Sequence, residues 1–120
     1  FDDDDDEKRL SGALAGLENL RTLDLSFNEL RRAPRHLPRR LRDLLLHHNR
    51  LRSATFLEHL GSMESLDVSH NNLRSVTAFH PLVLARPTLL ELRVLGNPIC
   101  AGMPAWRASL RSLFPKAALL

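Results

Sequence analysis

The 120-residue chain carries 17 Lys and Arg against 14 Asp and Glu, a formal net charge of +3, with 43% hydrophobic and 26% charged residues. That is the make-up of one modest globular domain, and no apolar run approaches the roughly 20 residues needed to cross a bilayer as a helix. The lone cysteine, Cys100, excludes an internal disulfide; it favours a reducing compartment and reads as a small buried apolar residue.

The chain opens on FDDDDDEKR, so residues 1–9 read as a disordered acidic tail or linker. It starts with neither a signal-peptide pattern nor a methionine, and so looks like an excised piece of something longer. Leu14, Leu17 and Leu20 then resemble the returning half of a structural repeat. The strand that follows is left as an edge, which missing upstream repeats or this half-repeat itself would cover.

From Leu20 one phrase recurs. LRTLDLSFNEL (20–30), LRDLLLHHNRL (41–51), MESLDVSHNNL (63–73) and LLELRVLGNPI (89–99) all fit L-x-x-L-x-L-x-x-N-x-L, with Met, Val or Ile replacing some leucines. Their asparagines, Asn28, Asn49, Asn71 and Asn97, are spaced by 21, 22 and 26 residues. Such a period signals a stacked repeat architecture. Within each phrase apolar and polar residues alternate, the mark of a strand with one buried face. Leu23, Leu25, Leu44, Leu46, Leu66, Val68, Leu92 and Val94 are thereby predicted to share one interior. A strand of about five residues cannot bury that face alone, so the repeats must stack in parallel. Each asparagine falls where the chain leaves its strand, and its amide suits backbone groups that the bend strands.

Between the phrases, RRAPRHLPRR (31–40) holds Pro34 and Pro38, which exclude a long helix. Residues 52–62 are more helix-friendly, with Phe56, Leu57 and Leu60 on one helical face. Residues 74–88 are longer; Val76, Phe79, Leu82 and Leu84 are candidates for burial, and an extra turn is expected there with strand register kept.

The repeated phrase resembles the leucine-rich repeat family, from about Leu14 to the end of the chain, and in particular its intracellular, roughly 22-residue, phosphatase-regulator-like class. The resemblance implies an α/β right-handed solenoid with about four short parallel strands on a concave face and loops and short helices on the convex one. It divides the chain into the tail (1–9), repeats (10–99) and a helical C-terminal cap (100–120). Asn97-Pro98, Trp106-Arg107, Leu110, Leu113 and Phe114-Pro115 match the family's cap motif, with Ala117 and Leu120 in its next apolar positions, and make Trp106 a cap anchor. It also implies protein recognition without chemistry, in the cytoplasm or in a nuclear or cytoskeleton-associated setting.

The outward strand residues are expected in rows: Thr22, Asp43, Ser65 and Glu91; Asp24, Leu45, Asp67 and Arg93; Ser26, His47, Ser69 and Leu95; Phe27, His48, His70 and Gly96. An apolar spot (Phe27, Leu45, Leu95) inside a partly acidic rim (Asp24, Asp43, Asp67, Glu91) suits a protein partner offering a helix or loop with basic and apolar residues. A competing reading puts binding on the arginine-rich flank, residues 31–52. Six arginines lie between Arg31 and Arg42, and the chain beyond residue 7 has 17 basic against 8 acidic residues. That flank suits an anionic polymer, RNA or an acidic protein tail, for which residues 2–7 would compete in cis. Nucleic acid is the weaker case, since no aromatic is interleaved with these arginines. His47, His48 and His70 lack the further ligand that a metal site needs. No phosphate loop or nucleophile elbow is present, so no cofactor or catalysis is expected.

Overall fold

The computed structural model describes residues 4–55 and 57–120. Its centre is one sheet of five parallel strands in chain order: β1 (Thr22–Asp24), β2 (Asp43–Leu45), β3 (Ser65–Asp67), β4 (Glu91–Arg93) and β5 (Ala118–Leu119). The register aligns Leu23, Leu44, Leu66, Leu92 and Leu119 across the sheet. Their side chains and those of Leu46, Val68 and Val94 meet the core, with Leu23 of β1 and the following Leu25 half-buried at its margin. The repeats therefore stack as the alternation requires.

The bend after each strand is held by its asparagine. Asn49 Oδ1 accepts from the backbone N–H groups of Asn28 and Leu30 at 3.0 and 2.9 Å, while its Nδ2 donates to Leu25 and Leu46 carbonyls at 3.0 Å. Asn71 repeats the pattern with Leu51 N–H and the Leu46 and Val68 carbonyls. Asn97 does so with Leu73 N–H and the Val68 and Val94 carbonyls. Each amide thus stitches its own turn to the one before. Among the described residues Asn28 donates only within its repeat, to the carbonyls of Leu25 and Ser26.

The connecting segments differ in part from expectation. Residues 52–55 and 57–62 form turns in place of a helix, with Leu57 N–H bonded to Ala54 O and Leu60 N–H to Leu57 O. Ala54, Leu57, Leu60 and Met63 are buried at a spacing of three, which tight i→i+3 turns present to one side and an α-helix does not; Phe56 lies outside the described residues. The longer segment holds the expected extra turns as a 3-10 helix, Val76–Ala85, burying Phe79, Leu82 and Ala85 at the same spacing. Leu84, expected inside, is 60% exposed, because it follows Leu82 by two and falls off that stripe.

Residues 4–9, expected to be disordered, are helical in α1 (Asp4–Ala15); residues 1–3 lie outside the described part. Within α1, Leu10 and Leu14, four apart, lie against the core. At the other end α2 (Pro98–Gly102) and α3 (Trp106–Leu113) form the cap. Trp106, Leu110, Phe114 and Ala117 are buried there, and Arg107 lies 4.6 Å from the centre of the Trp106 ring. The sheet gains a fifth strand over the expected four because Ala118 and Leu119 pair with Glu91 and Leu92. Cys100 is half-buried against the core.

Candidate protein-docking surface

Parallel pairing sets the outward strand residues in rows. Thr22, Asp43, Ser65 and Glu91 stand in one register, and Asp24, Leu45, Asp67 and Arg93 in another. Beyond the strands the ladder persists: Phe27 N–H donates to His47 O, His48 N–H to Ser69 O and His70 N–H to Leu95 O. The side chains named from the sequence are therefore brought onto one face of the sheet. On it Phe27 is 68% and Leu95 47% exposed, whereas Leu45 is half-buried between its neighbours.

The last row has a backbone of its own. Phe27, His48, His70 and Gly96 all have positive φ, between 53° and 85°. A left-handed residue costs a side-chain-bearing position roughly 1–2 kcal/mol, and three of the four bear side chains. Turning the chain here leaves these side chains side by side. Phe27 and His48 stack with ring centroids 4.4 Å apart, His48 and His70 stack at 4.5 Å, and His47 meets Phe27 and His48 edge-on. His70 in turn fills the space over Gly96, where a Cβ would sit 2.4 Å from its Nδ1. The sequence pattern places these residues in one row but does not specify that they stack. Its signal is the identical offset, one residue before each asparagine.

Two carboxylates on the face are tied locally. Asp24 Oδ1 accepts from the Ser26 hydroxyl at 2.5 Å and from its N–H at 2.9 Å; Asp67 does the same with Ser69 at 2.6 and 3.0 Å. The Ser26 hydroxyl and N–H hold Asp24 below the usual carboxylate value of 3.8, with a smaller pull from His47. Its negative charge is thus fixed at neutral pH. Thr22 Oγ1 donates to Asp43 at 3.3 Å. The His48 imidazole is pushed below the ordinary 6.5, first by desolvation in the stack and then by His70 and His47, with Asp67 opposing. His47 and His48 share one Nδ1···Nδ1 hydrogen bond of 2.7 Å, in which only one nitrogen carries the proton. Among the described residues no group of three or more His, Cys, Asp or Glu is placed to hold a metal ion. Nor is any described helix long and apolar enough to cross a membrane.

Comparison with known proteins bears on the same architecture. The family model described as Leucine Rich Repeat matches residues 19–39. Podocan-like protein 1 of Homo sapiens is 36% identical over 91 residues, 74% of this chain and 18% of that protein. The Serine/threonine-protein kinase 11-interacting protein of Homo sapiens is 37% identical over 111 residues, 88% of this chain and 10% of that protein. Lumican of Bos taurus is 36% identical over 69 residues, 56% and 20% respectively. The chain thus spans a fifth or less of the length of these curated relatives. Among solved structures, a chain of the Drosophila melanogaster SNF/U2A' complex superposes with a TM-score of 0.70 at 29% identity, over 86% of this chain and 60% of that one.

Proposed function

Because the chain belongs to the leucine-rich repeat family, we propose that it is a non-catalytic protein-interaction module, a scaffold or regulatory part, that takes its partner on the open strand face. The observation that carries this reading is the placing of the exposed Phe27 and Leu95 and the half-buried Leu45 among Asp24, Asp43, Asp67 and Glu91 on one sheet face. Apolar groups beside fixed carboxylates match a helix or loop that offers Leu-like and Lys- or Arg-like side chains. The solved neighbour is itself part of a complex, and one relative is named as a kinase-interacting protein, which agrees in kind.

The partner-binding residues on this reading are Thr22, Asp24, Ser26 and Phe27 from the first repeat, and Asp43, Leu45, His47 and His48 from the second. Asp67, Ser69 and His70 come from the third, and Glu91, Arg93 and Leu95 from the fourth. The single Cys100 agrees with a reducing, cytoplasmic setting, a nuclear or cytoskeleton-associated one included. The test is retention of partners from cell extract by wild type and by Leu45→Arg. Partners lost with the variant support the strand face; an unchanged set removes it.

A further inference from the structure

Away from the strand face lies a second concavity, built by the arginine-rich loop. Ala33, Pro34, Leu37 and Pro38 are buried, so the apolar side of residues 31–40 is pinned to the core with two φ angles fixed. Arg35, His36, Arg39 and Arg40 consequently face out. They line a cavity of about 450 Å³ that His59 and Leu60 close on the other side, with the Glu18 carboxylate on its wall. Arg40 is shared with a further cavity of about 450 Å³ lined by Arg21, Arg42, Glu64 and Thr88. Arg21 and Arg42 immediately precede β1 and β2, and the Thr22–Asp43 register sets their backbones one strand spacing apart, about 4.8 Å.

We propose that these two cavities, which share Arg40, form a binding trough for an acidic segment of another polypeptide, whose carboxylates pair with Arg39, Arg40 and Arg42. Guanidinium forks take carboxylates two-pronged. Two cavities sharing one arginine extend further than a single small anion needs. Arg40 and Arg42 are held weakly: Arg40 Nη1 reaches Asn19 Oδ1 at 3.3 Å, and Arg42 meets Glu64 at 3.6 Å with both side chains about half exposed. Leu37, Pro38 and Leu60 supply an apolar floor for the methylenes of glutamate side chains. Among the described residues no Phe, Tyr or Trp lines either cavity, so none of them offers the stacking platform of a single-strand nucleic-acid site. It lies apart from the strand face and stands or falls separately.

The probe is fluorescein-labelled hexaglutamate, followed by anisotropy at low and moderate salt, with an oligouridylate of equal charge beside it. Wild type binds the peptide, more weakly as salt rises, and Arg39→Glu/Arg40→Glu loses about tenfold or more in affinity. Both side chains are exposed, and an unchanged thermal midpoint verifies that the variant is folded. Imidazole resonances of His36 and His59 shift on titration while that of His70 stays in place, and Leu45→Arg binds the peptide like wild type. Failure of hexaglutamate to bind wild type overturns the proposal. So does equal binding by the double variant, loss of binding in Leu45→Arg, or a response of His36 and His59 to the oligouridylate alone.

Discussion

His48 lies face to face with His70, ring centroids 4.5 Å apart and planes 19° from parallel. With Phe27 on its other side, the His48 ring is partly stripped of water, and a proton on it also meets His70 and His47. Its folded-state value therefore lies below the ordinary 6.5. The native state then binds fewer protons than the unfolded chain in that window. The stabilisation is complete above about pH 6.5 and is lost as pH falls through the lowered value. Thermal midpoints should decline as pH drops below 6.5, and His48→Asn, which tolerates the left-handed backbone, should flatten that decline. Proton NMR showing His48 titrating at or above 6.5 contradicts the account.

The asparagines predict a graded series. Asn49→Ala leaves the Leu30 N–H and the Leu46 carbonyl buried without their amide partner. With about 1–3 kcal/mol for each unsatisfied buried group, a loss near 3 kcal/mol is expected in urea unfolding. Asn28 bonds carbonyls at exposed positions, so Asn28→Ala should cost about 1 kcal/mol. Equal losses would remove the inter-repeat stitching from the account.

Gly96 combines a φ of +85° with the His70 ring resting where a Cβ would go. Gly96→Ala should cost about 2 kcal/mol from backbone strain and ring displacement together. Gly61, with open space around it, should accept Ala within about 0.5 kcal/mol. Chemical denaturation of the two variants decides, and a neutral Gly96→Ala would show the stack to be loose.

Adjacent residues on β2 separate fold from binding. Leu44 is 1% exposed, and Leu44→Ala should destabilise by about 2–5 kcal/mol. Leu45 points the other way, so Leu45→Arg should leave the midpoint nearly unchanged while lowering partner affinity. If Leu45→Arg unfolds the chain as readily as Leu44→Ala, the sheet is not open on that side.

The strands and their register were legible because Leu23, Leu44, Leu66 and Leu92 repeat with the same neighbours, and period-two alternation has one meaning in a stacked repeat. Ala118 and Leu119 were not, since two residues show no alternation and their pairing depends on where α3 delivers them. Leu57 and Leu60, with Phe56, read as one helical face, and the structure has turns there instead, because a spacing of three suits tight i→i+3 turns as well as a helix and the short span between strands favours turns. Phe27, His48 and His70 were readable as a row. Their contact arises from positive φ angles, which residue types other than glycine do not announce.

The most direct test of the docking face compares two comparably exposed apolar positions on different sides of the molecule. A photo-crosslinking benzoylphenylalanine replaces either Phe27, 68% exposed beside the strands, or Leu84, 60% exposed on the 3-10 helix, and each protein is irradiated in cell extract. The account predicts discrete adducts from position 27, lost when Leu45→Arg is added, and none in common from position 84. The same adducts from both positions, or adducts at 27 that survive Leu45→Arg, would contradict it.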